Sequence, residues 1–133
     1  MSVKENNVPL KPVPPPLDGY LALFGFRTQT VTASKTLTVA DSGTIFFVAS
    51  GTVTFTIPAP VDGLFFGFFN RSATAMTISA GSGAQTIIGL NDATNDSVAF
   101  STGGQIIGAA CIFVSDGSFW HFIGTDAIAA TLA

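Results

Sequence analysis

Thr52-Val53-Thr54-Phe55-Thr56-Ile57 is the stretch that decides the fold class. Val53, Phe55 and Ile57 fall on one side and the three threonines on the other, the period of two that a half-buried β-strand requires and an α-helix cannot use. Runs of the same β-branched and aromatic character recur at 28–33, 36–40, 44–49, 64–70, 75–80, 84–89, 98–100, 105–114 and 119–124. Turn residues stand between them: Asp41-Ser42-Gly43, Ser50-Gly51, Pro58 to Gly63, Gly81-Ser82-Gly83, Gly103-Gly104 and Asp116-Gly117. Many short strands punctuated in this way predict an all-β, antiparallel β-sandwich in which most connections are hairpins.

The surrounding composition agrees. A single Glu, three Lys and 16 Thr in 133 residues reverse the chemistry of a helical surface. Charged residues make up 10% of the chain and hydrophobic ones 47%, with 13 Phe. Ordinary soluble domains carry roughly a quarter charged residues, so apolar side chains remain after one small core is filled, and protein surface is expected to cover them. The length allows one core domain, expected over residues 28–124. No apolar run reaches the roughly 18 residues of a membrane span, and the first residues, Met1 to Pro16, lack the apolar stretch of a leader. A soluble, cytoplasmically made protein with no membrane partner is the expectation.

The ends read differently from the middle. Residues 1–27 form an expected N-terminal arm: an extended, Pro-rich part over 1–17, with Pro9, Pro12, Pro14, Pro15 and Pro16, and an apolar docking patch over 18–27 that holds Tyr20, Leu21, Leu23, Phe24 and Phe26. Residues 125–133 are read as a tail. Lys4, Lys11, Arg27 and Lys35 face only Glu5 and Asp18 in the first 35 residues, whereas the remainder sets Arg71 against six aspartates. A weakly basic arm on an acidic body suits an acidic protein surface, and it is too sparse in cations for a nucleic-acid footprint. Two strands break the alternation. In Ile45-Phe46-Phe47-Val48 and Leu64-Phe65-Phe66-Gly67-Phe68-Phe69 large apolar groups point to both faces, as in strands covered on both sides. The cover is either the 21–26 segment or a subunit interface; Phe46, Phe66 and Phe68 are the interface candidates.

Catalytic chemistry is thinly supplied. His121 is the only histidine and Cys111 the only cysteine, so neither a set of metal ligands of these types nor a Cys–His pair at motif spacing can be assembled. Cys111 lies in an apolar run and reads as a small buried hydrophobe. Asp41, Asp62 and Asp116 each precede a glycine and read as turn caps. The oxygen-rich stretch Leu90 to Ser97 lacks the order of a known calcium loop and is at most a weak cation site. No cofactor and no enzymatic activity are expected.

Leu37-Thr38-Val39-Ala40-Asp41-Ser42-Gly43, Thr54-Phe55-Thr56-Ile57-Pro58, Gly63-Leu64-Phe65-Phe66-Gly67-Phe68-Phe69-Asn70, Met76-Thr77-Ile78 with Ile88-Gly89, and Ser115-Asp116-Gly117-Ser118-Phe119-Trp120 follow one another in an order that resembles a β-module of tailed-bacteriophage virion proteins. The likeness covers about residues 30–124. It implies a jelly-roll-like sandwich, usually trimeric and without known catalytic residues, found in capsid decoration (cement) proteins and in tail-fibre or tail-tip proteins. A short chain with a Pro-rich arm favours the decoration role, on the outer surface of a virion. The partners implied are the major capsid protein and further copies in a homotrimer. Capsid contact is then expected at Pro12, Pro14, Pro15, Pro16, Tyr20, Leu23, Phe24 and Phe26, with Phe46, Phe66 and Phe68 between subunits. The alternatives are a tail-tip or receptor-binding domain and, from another class, a carbohydrate-binding or hydrolytic module, which calls for aromatics exposed on a loop beside acids, whereas Trp120 alternates with Phe122 in a strand and reads as core.

Overall fold

The computed structural model describes residues 26–101, 106–124 and 131–132. Pro12, Pro14, Pro15, Pro16, Tyr20, Leu23 and Phe24 lie outside the described residues, as does most of the 125–133 tail. Regular structure among the described residues is all strand apart from one 3-10 turn at Val39–Asp41. The strands are β1 (Arg27–Val31), β2 (Lys35–Thr36), β3 (Thr44–Val48), β4 (Val53–Thr56), β5 (Phe65–Asn70), β6 (Met76–Ser79), β7 (Ile87–Gly89), β8 (Asp92–Asn95), β9 (Ser97–Phe100), β10 (Ala110–Ser115), β11 (Trp120–Gly124) and β12 (Thr131–Leu132).

They form two sheets, of order β1-β3-β5-β10-β11-β7-β8 and β12-β9-β6-β4-β2. Through β6 the chain alternates between the sheets, and each strand pairs in parallel with the strand two before it: β1 with β3, β3 with β5, β2 with β4, β4 with β6. The expectation of an antiparallel sheet built from hairpins is therefore wrong for this half. Gly43, Gly51 and Gly63 do take the positive φ their turns need, +87°, +82° and +84°, but they carry the chain across to the other sheet instead of back along the same one. Turn chemistry specifies a change of direction and does not specify which sheet receives the next strand. The second half follows the expected pattern more closely, since β10 is antiparallel to both β5 and β11, and β9 to β6. Asp92–Asn95, read from sequence as loop, is a strand that pairs with β7 through a two-residue turn in which Leu90 and Asn91 both have positive φ.

Parallel pairing stacks like on like. Phe46 lies beside Phe68 and Phe47 beside Phe69, with ring centroids 5.8 and 5.9 Å apart, and Thr54 lies beside Thr77. One core joins the sheets: Phe55 of the smaller sheet meets Phe68 at 4.7 Å and Phe46 at 5.4 Å, and Phe100 meets Phe122 at 6.1 Å. Trp120 is fully buried between Phe66 and Phe113 and donates its Nε1–H to the Pro58 carbonyl at 3.0 Å, which fixes the β4–β5 connection to the core. Asn70, also buried, is satisfied locally: its Nδ2 donates to the Thr74 carbonyl at 2.8 Å and its Oδ1 accepts from the Ser72 N–H at 2.9 Å, folding the β5–β6 turn.

Candidate functional site: an apolar outer sheet face

Alternation along the central strands of the larger sheet sends Phe46, Phe66, Phe68 and Phe113 into the core and leaves their neighbours in sequence on the opposite face. Phe46, Phe66 and Phe68, expected between subunits, are closed into the core of a single chain and have no surface to offer. Their burial against the second sheet already satisfies the inner side of both strands. What the two-faced runs leave for a neighbour is the other set: Ile45 and Phe47 on β3, Phe65, Gly67 and Phe69 on β5.

Register assembles these into rows. Ile45 pairs with Gly67, Gly67 with Ile112 and Ile112 with Ile123, one line across β3, β5, β10 and β11. Phe47, Phe69 and Ala110 form the next line. Gly67 interrupts the first row with a hydrogen where the others carry side chains. A Cβ there would stand 2.9 Å from Cγ1 of Ile45, so the glycine is required by the close approach of that side chain and not by its backbone angles. The result is a shallow apolar cleft of about 460 Å³ floored at Gly67 and walled by Ile45, Phe47, Phe69, Ile112 and Ile123. Phe69 is 36%, Ile112 38% and Ile123 62% exposed.

A second set of exposed apolar groups lies at the end of the body where β1, β3 and β5 begin. Phe26, the one described member of the expected capsid-contact set, is 61% exposed and rests on Phe65 at the margin of the outer face, with centroids 5.3 Å apart. Val39, Val61 and Phe119 are exposed on the neighbouring connections. Arg27 secures this corner by donating to the carbonyls of Ala40 and Ser42, while the Ser42 hydroxyl accepts from the Phe65 N–H.

The polar groups show local roles. Oδ1 of Asp116 accepts from the Ser118 and Phe119 N–H groups at 2.8 Å each, the turn cap expected from the following glycine, and Oδ2 meets His121 Nε2 at 2.8 Å. The hydrogen bond to His121, followed by the two backbone donors, lowers the Asp116 carboxyl to about pKa 2. Asp41 accepts from the Thr38 N–H, Asp92 from that of Thr94 and Asp96 from that of Gly83, so the carboxylates of the 91–97 stretch also brace turns. Among the described residues no three His, Cys, Asp or Glu side chains converge as metal ligands. Cys111 is buried, and desolvation raises its thiol well above the ordinary value, the opposite of an activated nucleophile.

Compared with protein-family models and with curated proteins, the chain matches none. The likeness to phage virion modules accordingly rests on the residues quoted for it. Sequence reasoning missed the Ile45–Ile123 row because it assigned the strand pairs as hairpins. The available signal was the recurrence of Phe46-Phe47-Val48 as Phe68-Phe69-Asn70, and of Val53-Thr54-Phe55-Thr56 as Met76-Thr77-Ile78-Ser79, at spacings of 22 and 23 residues.

Proposed function

We propose that the protein is a bacteriophage capsid decoration (cement) protein, a jelly-roll-like β-sandwich that acts as a homotrimer on the outer surface of the shell and bridges capsid subunits. The observation that carries this reading is the open apolar face of the larger sheet, which in a chain with so few charges calls for a protein cover. Neighbouring copies cover that face in the trimer, and the residues before Arg27 reach the major capsid protein. Three arms on one trimer convert weak contacts into firm attachment, with avidity gains on the order of 10²–10⁴ where geometry lets them engage together. The same face would serve a tail-tip protein, and localisation by electron microscopy of assembled particles separates the two. A carbohydrate-binding module has less support, because Trp120 is closed into the core and its indole N–H is engaged.

Co-sedimentation with undecorated capsids tests the reading. Wild-type protein is expected to saturate the shell, and removal of residues 1–17 to weaken binding while leaving the melting temperature nearly unchanged, as for a terminus outside the core. Saturation by the shortened protein at the wild-type concentration would move the attachment from the arm to the folded body.

A further inference from the structure

The end of the sandwich at which β1, β3 and β5 begin is a braced platform. The Arg27 guanidinium donates to the carbonyls of Ala40 and Ser42, the Gly43 N–H to the Phe65 carbonyl at 2.7 Å, and the Phe65 N–H to the Ser42 hydroxyl at 3.0 Å. The start of β1, the β2–β3 connection and the start of β5 therefore hold one another. The Gly63 N–H donates to the Ser115 carbonyl at 3.1 Å, and Asp62 packs so closely on Gly117 that a Cβ there would stand 3.6 Å from that of Asp62. These contacts join the β4–β5 connection to the β10–β11 turn, which Asp116 caps. Fixed in this way, the four segments present Phe26, Val39, Val61 and Phe119 to solvent. Large apolar groups held on a rigid support mark an interaction surface, because little conformational entropy remains to be lost when a partner covers them.

We infer that this end, through Val39, Val61 and Phe119, is where the folded body seats on the shell protein, against an apolar patch edged by Lys or Arg. The inference rests on the capsid reading and specifies which surface of the body makes the contact. Two observations select that occupant. The 25 residues before Phe26 join the body at this end, so a partner gripped by any of them is held beside the platform at raised local concentration. Charge selects the chemistry of the partner. Asp41, Asp62 and Asp116 stand on these connections, and Asp96 braces the turn after β6 at the same end of the smaller sheet. Among the described residues Arg27 is the arginine or lysine at this end, and its guanidinium is engaged on carbonyls; Lys35 lies on the edge strand β2, and Arg71 follows β5 at the opposite end. Residues 1–25 set Lys4 and Lys11 against Glu5 and Asp18 and are neutral in sum, so the complementary cations belong to the partner. Two such ends facing each other would repel, which disfavours a second copy. The outer face of the larger sheet runs along the strands and the platform across their ends, so trimer contact and shell contact use different surfaces.

Co-sedimentation of the full chain with undecorated capsids tests the inference, read as the concentration that half-saturates the shell. Val61→Ser and Phe119→Ser should each raise it by about tenfold, the scale for losing a central apolar anchor, with the circular dichroism spectrum and light-scattering mass of wild type retained. Ile107→Ser, at an exposed position of the opposite end, should leave it unchanged. Asp62→Lys reverses one exposed charge without touching the apolar groups, and should weaken binding more at about 0.05 M salt than at about 0.5 M. Wild-type half-saturation by the Val61, Phe119 and Asp62 variants, or an equal loss with Ile107→Ser, would overturn the inference and leave the capsid reading standing. A wild-type protein that does not sediment with capsids would overturn the capsid reading and this inference with it.

Discussion

The two faces of the larger sheet are almost equally apolar and have opposite fates. On the inner face Phe46, Phe66, Phe68, Phe113 and Trp120 are closed against the second sheet. On the outer face Ile45, Phe47, Phe69, Ile112 and Ile123 surround an open cleft. Burial of an apolar side chain is favourable at roughly 25 cal/mol per Å² wherever the cover comes from. The inner face maintains the fold of one chain, whereas the outer face gains that stabilisation only under a cover that the two sheets do not provide.

The largest effect should come from the inner face. Trp120→Ala removes a fully buried aromatic and leaves the Pro58 carbonyl without its donor, and should cost about 3–5 kcal/mol in denaturant unfolding. A loss below about 1 kcal/mol would mean that the core does not depend on the residue at its centre. Gly67→Ala sharpens the contrast between the faces, because its methyl group enters the space of Ile45. Overpacking of about 1–3 kcal/mol is expected, read in the same titration. Ile123→Ser, on the outer face, should change the stability of the isolated folded body by no more than about 0.5 kcal/mol, as exposed substitutions do. A loss comparable with that of Trp120→Ala would erase the distinction.

The smallest effect is electrostatic. The folded-state pKa of Asp116 lies near 2, below its ordinary 3.8, so the associated stabilisation is present above pH 3.8 and is lost as pH falls towards 2. Carboxyl chemical shifts followed through an acid titration should show a midpoint near 2, and His121→Ala should raise it towards the ordinary value. An unchanged midpoint in that variant would assign the shift to the backbone donors of Ser118 and Phe119 alone.

The β class, most strands and the burial of Trp120 and Cys111 were legible in local sequence, because period-two alternation and apolar context are properties of neighbouring residues. The turn roles of Asp41 and Asp116 were legible for the same reason. Strand partners were not, since Gly43, Gly51 and Gly63 look alike whether a turn closes a hairpin or crosses to another sheet. The assignment of Phe46, Phe66 and Phe68 to an interface failed on parity. The two-faced runs do carry a second apolar surface, but which alternate set faces inward depends on the second sheet, whose Phe55, Ile78 and Phe100 complete the core around them. Asp92–Asn95 escaped notice because its polar composition opposes strand formation and the hairpin at Leu90-Asn91 overrides it.

The claim that the outer face is completed by further polypeptide is tested most directly by the mass of the full chain in solution. Light scattering after size-exclusion chromatography at micromolar concentration should give three times the 13.7 kDa chain mass for wild type. Ile123→Asp, which places a charge on that face, should lower the mass while leaving the far-ultraviolet circular dichroism spectrum of the folded body unchanged. A wild-type protein that elutes with the mass of one chain would contradict the account.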